Sequence, residues 1–152
     1  MNRHTPKELH KFGRYFAIET NNAFWTMSEK ELNTEDKKKL LELAFASLYH
    51  WQAVGTERNV FLAQLNVARA LCINDVQALG LEYAQNCFAF FENDDEKWII
   101  AFAEIILSHA HFNLGDHDQH RFYHERALAT ADQLGAEDRQ IFDATADRIP
   151  AP

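Results

Sequence analysis

Five of the eight histidines of this 152-residue chain fall between positions 109 and 124, as His109, His111, His117, His120 and His124. On a helix His120 and His124 share a face, because residues four apart are neighbours. Two imidazoles at that spacing can chelate a divalent ion, and His117, one turn earlier, and Asp116 can add to them. The chain has no His-Glu-x-x-His, no paired Glu-x-x-His and no cysteine ligand nearby. The stretch therefore reads first as an exposed polar face running on through Gln119, Arg121 and Glu125, with no metal expected. Its alternative is a metal site of His117, His120 and His124.

A second pattern lies between Trp98 and Leu114, where nearly every residue is apolar. Glu104, Ser108 and His111 interrupt it at spacings of four and three, so on a helix they form one narrow polar strip. A helix apolar on most sides is buried between neighbours, and a carboxylate there needs a partner. Arg69, His50 and Asn66 are the candidate partners. His50, Arg69, Glu104 and His111 would then make a ligand-recognition cluster or an acid–base pair. The competing reading is a structural hydrogen-bond network or a solvent-facing strip. Ser28, Ser47 and Ser108 lie in no Gly-x-Ser-x-Gly context, neither cysteine sits in a Cys-x-x-Cys pair, and no phosphate-cradling glycine loop exists. These absences make an enzyme and a cofactor the poorer expectations.

The elements that position these residues are helices. The three prolines, Pro6, Pro150 and Pro152, lie near the ends, and only five glycines occur. Long helices tolerate little of either, so the chain reads as all-α. Apolar spacing predicts seven helices. Pro6 to about Met27 is capped by Thr5, with a stripe of Leu9, Phe12, Phe16, Ala23, Phe24 and Met27. The second, capped by Thr34, runs to Val54, and the third, capped by Thr56, runs to Asn74-Asp75. Val76–Phe91, Glu96–Leu114, Asp118–Leu134 and Glu137–Arg148 follow. Asn21-Asn22 are poor helix formers that face solvent or bond another segment. Phe88, Phe90 and Phe91 cannot all point inward on one helix, so they form an exposed patch or are covered by neighbouring helices.

The formal net charge is −8, which disfavours nucleic acid as a partner. Lys37-Lys38-Lys39 follows Glu35-Asp36 and reads as a solvated first turn. The longest apolar run, Trp98–Ala103, is far below the roughly 18 residues of a membrane span, and the N-terminus lacks a signal-peptide core. No membrane partner and a cytoplasmic location are expected. Cys72 and Cys87 sit in apolar patterns and read as buried free thiols.

A shift of about 40 residues superimposes the third and fourth helices on the fifth and sixth. Val67 falls on Leu107, Ala70 on Ala110, Asp75 on Gly115, Tyr83 on Tyr123, Cys87 on Ala127 and Phe88 on Leu128. The second unit resembles a tetratricopeptide repeat: Leu107-Ser108 and His111 fall where that family packs its first helix, Leu114-Gly115-Asp116 matches its turn, and Ala127-Leu128 its small–large pair. The first unit has Asn74-Asp75 in place of the Leu-Gly turn, though Gly80 is suitably small. His120 stands where the family prefers alanine, and the spacing exceeds the usual length of about 34. The whole chain is also similar to small bacterial tetratricopeptide-like proteins.

The resemblance implies a right-handed stack of antiparallel helical hairpins in one domain, residues 1–152, with pairs at about 5–54, 56–91 and 96–134 and a capping helix at 137–148. It implies a non-enzymatic interaction module that binds a peptide or a second copy of itself. The inner surface would carry Leu62, Leu65, Arg69, Phe102, Ile105 and His109. That set lacks the several Lys and Asn residues that clamp a C-terminal carboxylate in chaperone-binding members. A small-ligand or metal-binding protein is the alternative.

Overall fold

A computed structural model describes residues 4–152. Among them are seven helices and no strand: α1 (Pro6–Ser28), α2 (Thr34–Val54), α3 (Glu57–Ile73), α4 (Gln77–Phe91), α5 (Lys97–Asn113), α6 (His117–Ala131) and α7 (Ala136–Ala146). Thr5 opens α1 through a capping box with Glu8, and Pro6 takes the first helical position. The cap of α2 is Asn33, not the expected Thr34. Asn33 Oδ1 accepts from the Asp36 amide at 2.8 Å, and Asp36 accepts in return from the Asn33 amide at 3.2 Å. An acidic residue three positions on completes the box, and only Asn33 has one; Thr34 would meet Lys37. Thr56 caps α3 as expected.

The 40-residue repeat is written into the two turns. Val76 N–H donates to the Leu71 carbonyl and Asp75 N–H to that of Cys72; Asp116 and Gly115 do the same to His111 and Phe112. Both turns are Schellman motifs, each with its pivotal residue in the left-handed region: Asp75 at φ 55° and Gly115 at φ 75°. Asn74-Asp75 thus performs the turn of Leu114-Gly115 with a different residue. Behind the first turn Gly80 is buried against α3, where a Cβ would stand 3.5 Å from Cys72 Sγ, an ordinary contact distance.

From α1 to α6 each helix packs against the next, α3 also meets α5, and α7 packs against α5. From Ile99 to His111 every residue of α5 except His109 is buried. One apolar cluster joins α1, α2 and α3 around Phe24, Leu40, Leu48 and Leu71. A larger one joins α3 to α7 around Phe91, Ile99, Ile105 and Phe142. Trp25 and Tyr83 pack against both. Phe88, Phe90 and Phe91 are covered: Phe90 stacks on Phe61 at 3.9 Å, Phe91 is fully buried, and Phe88 meets Tyr123 edge-on. Both cysteines are free and buried, and burial pushes their thiols up to about 12. No helix of the described residues is long and apolar enough to cross a membrane.

The expected stripe of α1 is only partly internal. Phe24 is fully buried, but Leu9, Phe12 and Phe16 are exposed together with Tyr15. Among the described residues the helix packed extensively against α1 is α2, and these N-terminal side chains stay exposed. Asn21 Oδ1 accepts from Asn66 Nδ2 at 3.1 Å and ties α1 to α3 instead.

The turns generate a paired test. Gly115→Ala meets no atom within 4 Å, so its effect is conformational alone. It should lower unfolding free energy by about 1 kcal/mol, while Asp75→Gly should raise it by up to about 1 kcal/mol. Chemical denaturation of the two variants checks this.

Candidate functional site

The polar strip of α5 points at α6. Glu104 is 1% exposed and receives Arg126 Nε at 2.6 Å and the Thr130 hydroxyl at 2.7 Å. None of the expected partners is there. His50 lies beside Phe16 and Tyr49 on the α1–α2 side, Asn66 bonds Asn21, and Arg69 sits over Trp25. The helical phase decides this: Glu104 is on the side of α5 that meets α6, whereas Arg69 of α3 faces the opposite side. His111 stacks on Tyr123 with ring planes 8° apart and approaches Asp116 at 3.4 Å. Burial lowers its pKa, opposed by Asp116.

Ser108 and His120 join the same two helices. Ser108 Oγ is 2.8 Å from His120 Nδ1 and 3.0 Å from the His120 carbonyl, and Nδ1 is 3.0 Å from the Ser108 carbonyl. All these contacts are satisfied when Nδ1–H donates toward Ser108 and the hydroxyl donates to the backbone. In that tautomer Nδ1 has no lone pair to take a proton, and Ser108 is wholly buried. The pair is a clamp, not a nucleophile with its base. In the repeat, Ser108 and His120 stand where α3 and α4 have Ala68 and Gly80.

His120 therefore belongs to the core, not to an exposed face of α6, and its Nε2 is buried without a partner. His117 is exposed and His124 half-buried, its ring 5.8 Å from that of His120. The three do not converge. Among the described residues no group of three His, Cys, Asp or Glu is placed to hold a metal.

On the other side of α5, where α1, α3 and α7 face it, the surface is hollow. Leu62, Leu65, Arg69 and Phe102 line one hollow with Trp25, Asn66, Trp98 and Ile106. A larger cavity of about 630 Å³ lies further along, beneath residues 145–150; Ser28, Ile73, Ile106, His109, Arg148 and Ile149 are among its walls. Five of the six expected inner-surface residues are thus brought to these hollows. Ile105 is not: it is fully buried, and Ile106 takes its place. Trp98 is aimed by its indole N–H, which donates to Glu96 at 2.7 Å; Glu96 in turn pairs with Arg58 at 2.8 Å.

Arg69 lines the two hollows just named and a third one beside α7. It is 6% exposed. Its guanidinium lies 5.3 Å from the Trp25 ring and donates to Ser28 Oγ at 3.3 Å. That hydroxyl sends its own proton to the Trp25 carbonyl at 2.8 Å. Among the described residues no carboxylate forms an ion pair with Arg69. Burial, then the nearby charge of Arg148, pulls its pKa down to about 10, so it stays charged at neutral pH.

Arg148 closes the cavity. Nη1 donates to the carbonyls of Ser28, at 2.8 Å, and Lys30, and Nη2 to that of Glu29 at 2.6 Å. An arginine just past a helix shows in sequence; its target more than a hundred positions earlier does not. His109 lines the same cavity uncharged. Burial, with His120 and Arg69 adding repulsion and Asp75 opposing, takes its pKa down to about 4.

Two expectations follow. Arg126→Met strands Glu104 with Thr130 alone. The loss should be about 2 kcal/mol, below the range of about 3–5 for a fully buried pair, because the Arg126 side chain is 42% exposed. The second concerns acid. Between pH 6.5 and about 4 an unfolded His109 binds a proton and the folded one does not. Stability therefore falls as pH drops through that window, by up to about 1.4 kcal/mol per unit, with His111 and His124 acting in the same direction. His109→Gln should flatten this decline, as read from denaturation midpoints across the window.

No protein-family model, curated protein or solved structure matches this chain, and its functional reading rests on the geometry just described.

Proposed function

We propose that the chain is a non-enzymatic binding module: a tetratricopeptide-like, right-handed stack of helical hairpins that receives a peptide segment on the side where α1, α3, α5 and α7 meet. One observation carries this reading. The polar side chains between α5 and α6 bond mainly to one another, leaving His120 Nε2 over, whereas the opposite side of α5 keeps aromatic and apolar side chains around hollows. Trp25, Trp98 and Phe102 line two neighbouring hollows of about 160 and 430 Å³. Large aromatic anchors around a recess are what dominate the energetics of protein recognition. The Schellman turns repeated 40 residues apart support the hairpin-stack reading, since they place α3 and α5, and α4 and α6, in equivalent roles.

The test is selection of binders from a displayed random-peptide library, followed by affinity measurement on variants. Trp98→Ala and Leu62→Ala should each weaken the selected peptides by about tenfold or more, a central anchor being worth at least about 1.4 kcal/mol. His124→Ala, on the far side of α5, should leave them unchanged. Binders insensitive to both hollow substitutions would sink the proposal.

A further inference from the structure

The cavity under the C-terminal segment has a chemistry of its own. Its walls carry three cations, Arg69, Arg148 and Lys37, and one carboxylate, Glu31. The same walls carry Leu32, Ile73, Ile106 and Ile149. The surrounding protein is acidic, at −8, so this concentration of positive charge runs against the general composition. Arg148 spends donors on the end of α1, but its charge remains. Arg69 is more than nine-tenths buried, has one hydrogen bond to an uncharged hydroxyl, and borders the cavity. A guanidinium carries five N–H donors. Burying such a charge without a counter-charge is unfavourable, and apolar replacements of similar volume are generally better for stability alone.

We propose that this cavity is a binding site for a small amphiphilic organic anion, its carboxylate or phosphate set against Arg69 and Lys37 and its apolar part against Ile73, Ile106 and Ile149. A planar guanidinium matches the two oxygens of either group. The volume, about 630 Å³, is that of a site for a metabolite-sized molecule. The apolar walls exclude a bare inorganic anion as the best occupant, because only an organic body buries their surface. His109 beside Arg69 is uncharged at neutral pH and supplies a hydrogen-bonding edge without adding charge. Residues 145–150 roof the site, so an occupant bridges α3 to the segment that Arg148 ties to α1. This inference does not rest on the peptide reading: that depends on Trp98 and Leu62, this on Arg69 and Lys37.

The experiment is calorimetric titration of the full chain with four probes: octanoate, octyl phosphate, inorganic phosphate and neutral octanol. The first two distinguish a carboxylate from a phosphate head. At least one should bind about tenfold or more tighter than both inorganic phosphate and octanol, and weaken as salt is added. Arg69→Met should reduce that binding by about tenfold or more while raising the Tm of the ligand-free protein, since the unpaired charge is gone. A merely structural arginine would instead lower the Tm. Arg69→Lys should keep part of the affinity. Lys37→Ala, at a partly exposed site that folds independently of the buried charge, should weaken binding and leave the Tm nearly unchanged. Equal affinity of the anions for wild type and Arg69→Met, equal affinity for octanol and the amphiphilic anions, or no binding at millimolar concentrations would each overturn the proposal.

Discussion

The hollow side of the molecule depends on one arginine reaching across the chain. The last carbonyls of a helix have no partner within it and carry the negative end of its dipole. Arg148 satisfies those at the end of α1, donating to residues 28, 29 and 30. Apart from this clamp, α7 packs its backbone chiefly against α5 among the described residues. Phe142 seats it there, 6.1 Å from Phe102, but a helix held on one side cannot roof a space bounded on the other by α1. With Arg148 in place, the segment from Thr145 to Pro150 spans from α5 to α1, and the gap between them becomes a walled cavity.

Beneath that roof the buried polar groups divide into two kinds. Glu104, Ser108 and His120 are bonded across α5 and α6: an acid with its base and a hydroxyl, and a side-chain pair that answers each other's backbone while His120 Nε2 stays unpaired. Such arrangements fix the register of α6 on α5, because a shift of one residue would orphan several buried donors and acceptors together. Arg69 is the other kind. Its neighbours are an indole face, a hydroxyl and a second guanidinium, none of which balances its charge. A sequence shaped only by stability has little reason to keep an arginine there, which is why the two faces of α5 have different meanings.

Sequence periodicity reached the local layer well, because helices and their turns are decided by residues a few positions apart. Thr5, Thr56, Gly115 and the Asp75–Gly115 equivalence are all short-range, and the structure has each where the spacing puts it. The α2 cap slipped by one residue where Asn33 and Thr34 compete and the acid three positions after Asn33, Asp36, decides. Partnerships between helices were not legible. The Glu104–Arg126 pair spans 22 positions and depends on which side of α5 faces α6; the narrow polar strip of α5 marks one face but does not say which neighbouring helix meets it. The same ambiguity exchanged Ile105 for Ile106. His120 looked like surface because its neighbours in sequence are polar, and only the Ala68–Gly80 precedent, read at a shift of 40, shows that its position is internal. Arg148 and Ser28, 120 residues apart, share no local signal at all.

The proposed anion site also has to work against the field of its own protein. A chain at −8 repels anions at distances where charge is unscreened, but at physiological salt that reach is only about 8 Å. Within the cavity the balance reverses, since its walls carry two guanidiniums and an ammonium against the one carboxylate of Glu31, and low-dielectric walls strengthen their effect. The charged groups of the interior therefore act only on a group that has already entered. Entry must be driven by something other than charge. The apolar surface of Leu32, Ile73, Ile106 and Ile149 provides that drive at about 25 cal/mol per Å² buried. Selection then requires both properties in one molecule: an apolar body to reach the cavity and an oxyanion to meet Arg69.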